Sequence, residues 1–268
     1  MFDSGLGGLT VFSALRVLRA DAQFTYVADD AAFPYGPLRE DVLVARVCTV
    51  MEAAIARFAP DCVVIACNTA STLVLKPLRA RWPDLPFVGT VPAIKPAAER
   101  TKSGLFSVLA TPGTVARDYT HDLVRRFAGH AEVELVGSKR LAGLAEGFMQ
   151  GEALDDAEVW AELAPCFVAE NGRQTDVIVL ACTHYPLLLE QFKRLAPWPV
   201  EWIDPGPAIA RRADHILREL GFAEDAGAAQ GAAIQFTSGR KPSAALWAAL
   251  KARGFADLMP QEVAWVHG

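Results

Sequence analysis

Short apolar runs alternate with helix-like stretches along almost the whole chain, and this alternation limits the possible folds more than any other feature. Strand-then-helix alternation is typical of an α/β protein with mainly parallel sheets. Runs such as "CVVIA" (62–66) suit strands that are covered on both faces. Strands are predicted at 24–29, 62–66, 86–91, 104–110, 132–137, 176–181, 199–204 and 233–238.

Helical periodicity fills the intervals between these runs. In residues 40–58 apolar side chains recur every three or four positions, and Pro37 and Pro60 flank the stretch. A second helix is predicted at about 70–81. Another is predicted after Pro112, because proline suits a first helical turn.

Composition and charge argue against several classes of protein. With 268 residues, of which 52% are hydrophobic, the chain can bury the core of one large domain or two modest ones. The net charge of -5 is mild and no Lys/Arg run stands out, so no nucleic-acid partner is expected. Neither a membrane-spanning segment nor a secretory signal is visible, so we expect a cytoplasmic protein without membrane contact. The Ala/Gly-rich stretch 223–233 is expected to be a surface loop.

The chain has five cysteines, and an odd number in such a chain argues against a disulfide framework. Cys48, Cys62 and Cys166 fall inside predicted elements and are expected to pack as small hydrophobic side chains. Cys182 and His184 are close enough in sequence to share a metal ion. Two ligands are a weak zinc signal, so no metal is expected.

Two segments repeat one pattern: "DCVVIACNTAS" (61–71) and "DVIVLACTHYP" (176–186). Each has a strand followed at once by a cysteine, Cys67 or Cys182, where a helix is expected to begin. Ligands bind at the carboxyl ends of parallel strands, and the helix start is expected to lower the pKa of such a thiol. The repeat predicts two similar α/β halves, each contributing a thiol. The helix-start N–H groups are expected to bind a carboxylate, together with Asn68, Thr69, Ser71, Thr72 and Thr183.

Three kinds of chemistry fit two such thiols. One thiol could be a nucleophile with His184 as its base, as in a cysteine amidase or thiol hydrolase. The pair could instead cycle through a disulfide. Alternatively, one thiol removes a proton from a carbon while the other protonates the opposite face. A pseudo-symmetric pair supplies the third reaction directly, whereas a hydrolase needs one cysteine and redox pairs usually lie close in sequence.

The amino end, "FDSGLGGLTV" (2–11), places a carboxylate and a hydroxyl before glycines and a helix. The dinucleotide-binding spacing GxGxxG is not met, because Thr10 stands where the last glycine is required. Asp3 is expected instead to receive a substrate ammonium group or to orient a catalytic cysteine. The segment "FPYGPLRE" (33–40) is predicted to form a turn that carries Tyr35.

Taken together, these motifs resemble the glutamate racemases, cofactor-independent enzymes that interconvert L- and D-glutamate and supply D-glutamate for peptidoglycan. The resemblance implies two pseudo-symmetric α/β lobes with the active site in the cleft between them. It places 1–92 and 204–268 in the lobe with Cys67, and 93–203 in the lobe with Cys182. The segments that carry it are "FDSGLGGLTV", "PYG" (34–36), "VVIACNTAS", "GTVPAIKPA" (89–97), "VLATPGTV" (108–115), "VLACTHYPLL" and "IDPGPAIA" (203–210).

The resemblance also implies roles for individual residues. Cys67 and Cys182 would be the two acid/base groups, with Asp3 beside one thiol and His184 beside the other to tune their proton affinities. Glu146 would lie near the second thiol. Substrate contacts are implied for Asp3, Ser4, Pro34, Tyr35, Gly36, Asn68, Thr69, Thr111, Thr114, Thr183 and His184.

No cofactor is expected, and Lys76 and Lys95 are expected at the surface rather than in a pyridoxal phosphate pocket. The family resemblance further implies a homodimer that acts on a small molecule, L- or D-glutamate. The chain lacks the long amino-terminal extension that is linked, in some members, to activation by a cell-wall precursor, so no such activation is expected. A related aspartate or hydantoin racemase stays open as an alternative, because the depth of the cleft sets side-chain specificity.

Overall fold

A computed structural model describes residues 1–222, 231–259 and 262–264. Its helices and strands alternate over most of this length. The strands are β1 (Phe2–Asp3), β2 (Thr25–Ala28), β3 (Val63–Val64), β4 (Phe87–Val88), β5 (Leu105–Ala110), β6 (Glu132–Gly137), β7 (Ala169–Glu170), β8 (Arg173–Gln174), β9 (Val177–Leu180), β10 (Glu201–Ile203), β11 (Ala232–Phe236) and β12 (Phe255–Leu258). The α-helices are α1 (Leu9–Leu18), α2 (Glu40–Phe58), α3 (Asn68–Arg81), α4 (Ile94–Arg100), α5 (Pro112–Val115), α6 (Asp118–Phe127), α7 (Leu141–Met149), α8 (Asp156–Leu163), α9 (Leu189–Leu195), α10 (Gly206–Glu219) and α11 (Ala244–Ala252).

Two parallel sheets form the framework. The first has the order β1-β2-β11-β12 and the second has the order β10-β9-β5-β6. The parallel pair β3-β4 adjoins the first sheet through a bridge between Phe2 and Ile65, and β7-β8 is a short antiparallel hairpin. The α/β fold with mainly parallel sheets that the sequence predicts is therefore confirmed. The lobe boundaries near residues 92 and 204 remain a prediction.

The central strands of the two sheets are buried on both faces, and β9 shows how. Val177 and Val179 pack into one hydrophobic cluster, whereas Ile178 and Leu180 pack into another on the opposite face. Successive side chains of a strand point to opposite faces, so a strand covered on both faces is apolar at nearly every position. Each such side chain contributes about 1.5–3 kcal/mol when it leaves water. This is why the strand sequences read as continuous apolar runs.

The predicted elements agree with the structure most closely where periodicity is long. Helix α2 spans the predicted residues 40–58, and β6 spans the predicted residues 132–137. The helix predicted after Pro112 is divided into α5 and α6, because Arg117 adopts an extended backbone between them.

Four strands were missed, and one predicted loop was too long. The sequence did not predict β1 or β12, which are short and gain their hydrogen bonds by pairing with distant strands. It also did not predict the hairpin β7-β8, whose strands have two residues each. Of the loop predicted at 223–233, residues 223–230 lie outside the described residues, and 232–233 already belong to β11.

The other sequence expectations concern side-chain placement. Cys48, Cys62 and Cys166 pack in or against the hydrophobic clusters, and Lys76 and Lys95 are exposed. Within the described ranges, no helix is long and apolar enough to cross a membrane. The same ranges hold no group of three or more His, Cys, Asp and Glu side chains arranged to hold a metal ion.

Candidate active site

The carboxyl-end edges of the two sheets meet, and the two cysteines of the repeated motif lie at this junction. Asp3 ends β1, Cys67 immediately precedes α3, and Cys182 lies just beyond β9. Both thiols are buried, with 5% of Cys67 and 6% of Cys182 exposed. Ligands of parallel α/β sheets bind at these edges, so the fold brings both motif cysteines to one candidate ligand-binding position.

The first half of the molecule is built around the sheet β1-β2-β11-β12, and the second half around the sheet β10-β9-β5-β6. The glycine loop that follows β1 packs tightly against the second half. A Cβ atom at Gly7 would lie 2.5 Å from Nδ1 of His184 and 2.7 Å from the hydroxyl oxygen of Thr183. The backbone N–H of Leu6 donates to the Glu146 carboxylate at 2.5 Å. The glycine at this position therefore allows two halves to approach closely, a role unrelated to phosphate binding.

Cys67 has a polar but electrostatically unfavourable environment for a thiolate. Its sulfur donates to the Ser4 hydroxyl oxygen at 3.7 Å. Burial raises the pKa of Cys67, and the charges of Asp3 and Cys182 raise it further, whereas the N–H of Ala70 lowers it by less. The expectation that the helix start lowers this pKa is wrong for Cys67, because burial and a neighbouring carboxylate outweigh the helix N–H groups.

Asp3 is fully buried and bridges the two halves. Its carboxylate accepts hydrogen bonds from the N–H of Gly8 and from the hydroxyl of Thr183, each at 3.2 Å. Burial raises the pKa of Asp3 from its ordinary value of 3.8 to about 6, and the charge of His184 opposes this increase. Asp3 and Cys67 therefore disfavour each other's ionisation, and Asp3 ionises first as the pH rises.

Cys182 has a different neighbour, the imidazole of His184. Nδ1 of His184 lies 3.8 Å from the Cys182 sulfur, and Nε2 lies 2.9 Å from the Glu146 carboxylate. Burial lowers the pKa of His184, but its hydrogen bonds to Cys182 and Glu146 raise it, so the net result is a pKa well above 6.5. The ring of Phe33 covers this histidine at 5.4 Å. The second thiol thus faces an imidazole that is held in its cationic form.

Hydroxyl and amide groups from both halves lie close together near the thiols. The Thr69 hydroxyl lies 3.1 Å from that of Thr111 and 3.4 Å from that of Thr114. The Asn68 side-chain oxygen accepts a hydrogen bond from Thr90 at 3.3 Å. Its Nδ2 is buried and has no hydrogen-bond partner among the described residues. An unpaired buried donor costs about 1–3 kcal/mol, so Asn68 offers a donor that a bound carboxylate would satisfy.

Two predicted contacts use their side chains elsewhere. The Tyr35 hydroxyl donates to Asp29 at 2.5 Å, and its ring lies in the core beside Phe2, so Tyr35 can offer a ligand only its backbone. The Ser71 hydroxyl donates to the Ile65 carbonyl and accepts from the N–H of Thr90. The expectation that Ser71 binds a carboxylate is wrong, because this hydroxyl supports the end of β3.

Some contacts had no sequence signal. Asp29 is fully buried and accepts from Arg46 and from the Thr237 hydroxyl as well as from Tyr35. The N–H of Leu6 also had no sequence signal, because it donates to a carboxylate 140 positions away in sequence. No local pattern marks such residues, since their partners come from distant segments.

The model of the Asp/Glu/Hydantoin racemase family matches residues 16–213, a range that includes both cysteines. The chain belongs to this racemase family. The glutamate racemases of Brucella anthropi and Agrobacterium fabrum are 58% identical over 218 residues and 57% identical over 217 residues. These alignments cover 81% of this chain in both cases, and 78% and 80% of the relatives.

Solved structures agree with the sequence comparison. The crystal structure of Escherichia coli glutamate racemase, in complex with L-glutamate and the activator UDP-MurNAc-Ala, superposes with a TM-score of 0.89 at 39% identity. It covers 98% of this chain and 97% of its own. The predicted family, fold and enzyme class, an isomerase that racemises amino acids, are therefore confirmed.

Proposed function

We propose that this racemase interconverts L- and D-glutamate without a cofactor, by proton transfer at Cα between Cys67 and Cys182. One observation carries the proposal: each half of the molecule contributes one buried thiol to the junction of the sheets, where Thr183, the residue after Cys182, donates a hydrogen bond to Asp3. The names of the relatives support glutamate as the substrate. A cytoplasmic homodimer that supplies D-glutamate for peptidoglycan belongs to the same proposal.

Racemisation breaks a Cα–H bond on one face and forms one on the other. The Cys67 thiolate takes the α-proton from D-glutamate and becomes a thiol. The Cys182 thiol then donates its proton to the opposite face and becomes a thiolate, which completes L-glutamate. In the reverse direction the two roles are exchanged, so each sulfur is a base for one enantiomer and an acid for the other.

Substrate binding supplies the charge that Cys67 needs. Burial and the charge of Asp3 hold the pKa of Cys67 high, while Asp3 itself is ionised above a pH of about 6. A substrate ammonium group beside Asp3 offsets the field of this carboxylate and lowers the pKa of the thiol. The ammonium group enters as the thiol proton leaves to solvent, so the net charge near Asp3 is unchanged.

Cys182 needs no such help, because His184 already provides a cation. The imidazole lies between the thiol and Glu146, and this arrangement stabilises the thiolate that remains after Cys182 has donated its proton. Glu146 acts through His184, since its hydrogen bond keeps the imidazole protonated and fixes its orientation.

Donors near the thiols stabilise the carbanion. Its charge spreads into the α-carboxylate, where preorganised donors in a buried cleft lower its energy. The unpaired Nδ2 of Asn68 and the hydroxyls of Thr69, Thr111 and Thr114 are the candidate donors for the substrate carboxylates. Enclosure by both halves excludes water, which strengthens these contacts.

Deuterium exchange tests the proposal. The protein is incubated with each enantiomer of glutamate in heavy water, and Cα is examined for deuterium in substrate and product. We expect deuterium at Cα of the product from either enantiomer, because the donating thiol exchanges its proton with solvent. Folded protein that introduces no deuterium would eliminate the racemase mechanism.

The contact between Cys182 and His184 also favours a second candidate, a cysteine amidase. Amide hydrolysis that survives Cys67→Ala, or a trapped acyl-enzyme, would support this candidate instead. Comparing turnover of L-glutamate with L-aspartate separates the proposed racemase from an aspartate racemase. Faster turnover of aspartate would reassign the substrate.

A further inference from the structure

The two halves meet a second time, beside the segments that carry candidate substrate contacts. Arg117, between α5 and α6 of the second half, forms an ion pair with Glu40, the first residue of α2 in the first half. Glu40 follows the turn at 34–36, and Arg117 follows the threonines of α5. The ion pair therefore joins two candidate substrate-binding segments, one that follows a strand of the first sheet and one that follows a strand of the second.

The backbones of these segments are also in close contact. A Cβ atom at Gly113 would lie 2.9 Å from the carbonyl oxygen of Gly36. A side chain at this position would push the turn away from α5, so the glycine keeps the halves close. The ion pair and the glycine contact thus act at the same junction.

Arg117 depends on this junction for its charge compensation. Only 14% of its side chain is exposed, against 64% for Glu40. Its Nε is buried and has no hydrogen-bond partner among the described residues, and burial lowers the pKa of Arg117. A mostly buried cation without its partner is costly. The attraction is therefore gained only when the two halves are together.

We propose that Arg117 and Glu40 form an electrostatic latch that holds the turn at 34–36 against Thr111 and Thr114. The inference rests on the proposed function, because it takes glutamate to bind between these segments. Both are positioning residues that favour the closed arrangement to which substrate binds. A smaller closed population weakens apparent affinity in proportion, so the latch sets KM and leaves the proton-transfer rate of the bound complex unchanged.

Kinetics of two variants test the latch. Glu40→Gln is expected to raise KM for both enantiomers about tenfold, because Arg117 stays buried without its partner, and Arg117→Met about threefold, with kcat within about twofold of wild type. Salt screens charges that are partly exposed, so the wild-type KM should rise when the sodium chloride concentration is raised from about 0.05 M to about 1 M. The KM of each variant should rise less. The exchanged pair Glu40→Arg with Arg117→Glu is expected to recover affinity.

The matched control is Asp41→Asn, which breaks an exposed ion pair with Arg39 beside Glu40. Its KM and salt response should equal those of wild type. A KM within twofold of wild type in both latch variants would overturn the latch, and so would a fall in kcat as large as that in kcat/KM. If wild type does not racemise glutamate, the proposed function fails and calorimetric binding of D-glutamate becomes the readout. If wild type and the latch variants then bind D-glutamate with equal affinity, or if wild type does not bind it, the latch is overturned as well.

Discussion

The two thiols occupy equivalent places in their sheets but have opposite electrostatic neighbours. Cys67 lies beside the Ser4 hydroxyl and within the field of the Asp3 carboxylate. Cys182 lies beside the imidazole of His184, which is paired with Glu146. The repeated strand-cysteine motif thus sets where each sulfur lies, whereas residues beyond the motif set which charged groups that sulfur faces.

This difference suits a reaction that is symmetric overall but not at each residue. L- and D-glutamate have equal free energies, so kcat/KM must be the same in both directions for every variant. In the proposed mechanism the individual steps are free to differ, because one thiol would acquire its cation from the substrate and the other from the protein. The comparison therefore predicts that changes near one thiol affect the two directions unequally in kcat.

Removing either sulfur gives the largest expected effect. Cys67→Ala and Cys182→Ala should each lower kcat by about 10⁴-fold, because each lacks one of the two acid/base groups. Circular dichroism and the melting temperature should stay close to wild type, since each change removes one small side chain at the cleft wall. Activity within tenfold of wild type in either variant would contradict the two-thiol scheme.

Changing the imidazole side tests the asymmetry itself. His184→Asn should lower kcat by about 10²-fold, and Glu146→Gln by less, because the thiolate of Cys182 loses its cation. The proposed mechanism makes Cys182 the base for L-glutamate, so kcat should fall further from L-glutamate than from D-glutamate. Initial rates from each enantiomer measure this ratio, and equal losses of kcat would show that the cation is not specific to Cys182.

Changing the carboxylate side should separate stability from activity. The pKa of Asp3 is about 6 in the folded protein, against an ordinary value of 3.8, so folding favours its protonated form. The stability from this group is present below about pH 4 and is lost as the pH rises through 6, a change of about 3 kcal/mol. Asp3→Asn stays neutral, and it should be slower by about tenfold yet more stable than wild type at pH 8 by about 1–3 kcal/mol.

Urea unfolding at pH 4 and pH 8 measures this change. The higher free energy of unfolding of Asp3→Asn, relative to wild type, should be present at pH 8 and nearly absent at pH 4. The acid limb of the wild-type kcat/KM profile should fall near pH 6 and should be absent from the profile of the variant. An advantage that is equal at both pH values would mean that Asp3 ionises as an ordinary carboxyl.

The smallest effect is expected at Ser71, on the helix that begins after Cys67. Ser71→Ala should leave kcat and KM within about twofold and lower the free energy of unfolding by about 1 kcal/mol. Its hydroxyl links the Ile65 carbonyl to the N–H of Thr90. Asn68→Ala is the matched comparison, and it should raise KM instead. A raised KM in Ser71→Ala would show that this hydroxyl contributes to substrate binding.

Local sequence patterns predicted the features of the fold and the site that depend on residues close together in the chain. The bounds of α2 follow from its apolar periodicity, and the positions of both sulfurs follow from strands that end at a cysteine. The bond between Thr183 and Asp3 spans 180 positions and has no local signal. The pKa of Cys67 was predicted in the wrong direction, because a helix start identifies nearby N–H groups and not the burial or the carboxylate beside them.

The hydrogen bonds from Leu6 to Glu146 and from Thr183 to Asp3 cross between the halves and involve the two buried carboxylates of the candidate active site. Any parting of the halves that admits or releases an amino acid breaks these bonds and lets water reach both sulfurs. The burial that raises the pKa of Cys67 is then relieved, although Asp3 stays beside it. The opened molecule therefore presents a thiol closer to its ordinary acidity, and alkylating reagents that require a thiolate should modify it faster there than in the closed molecule.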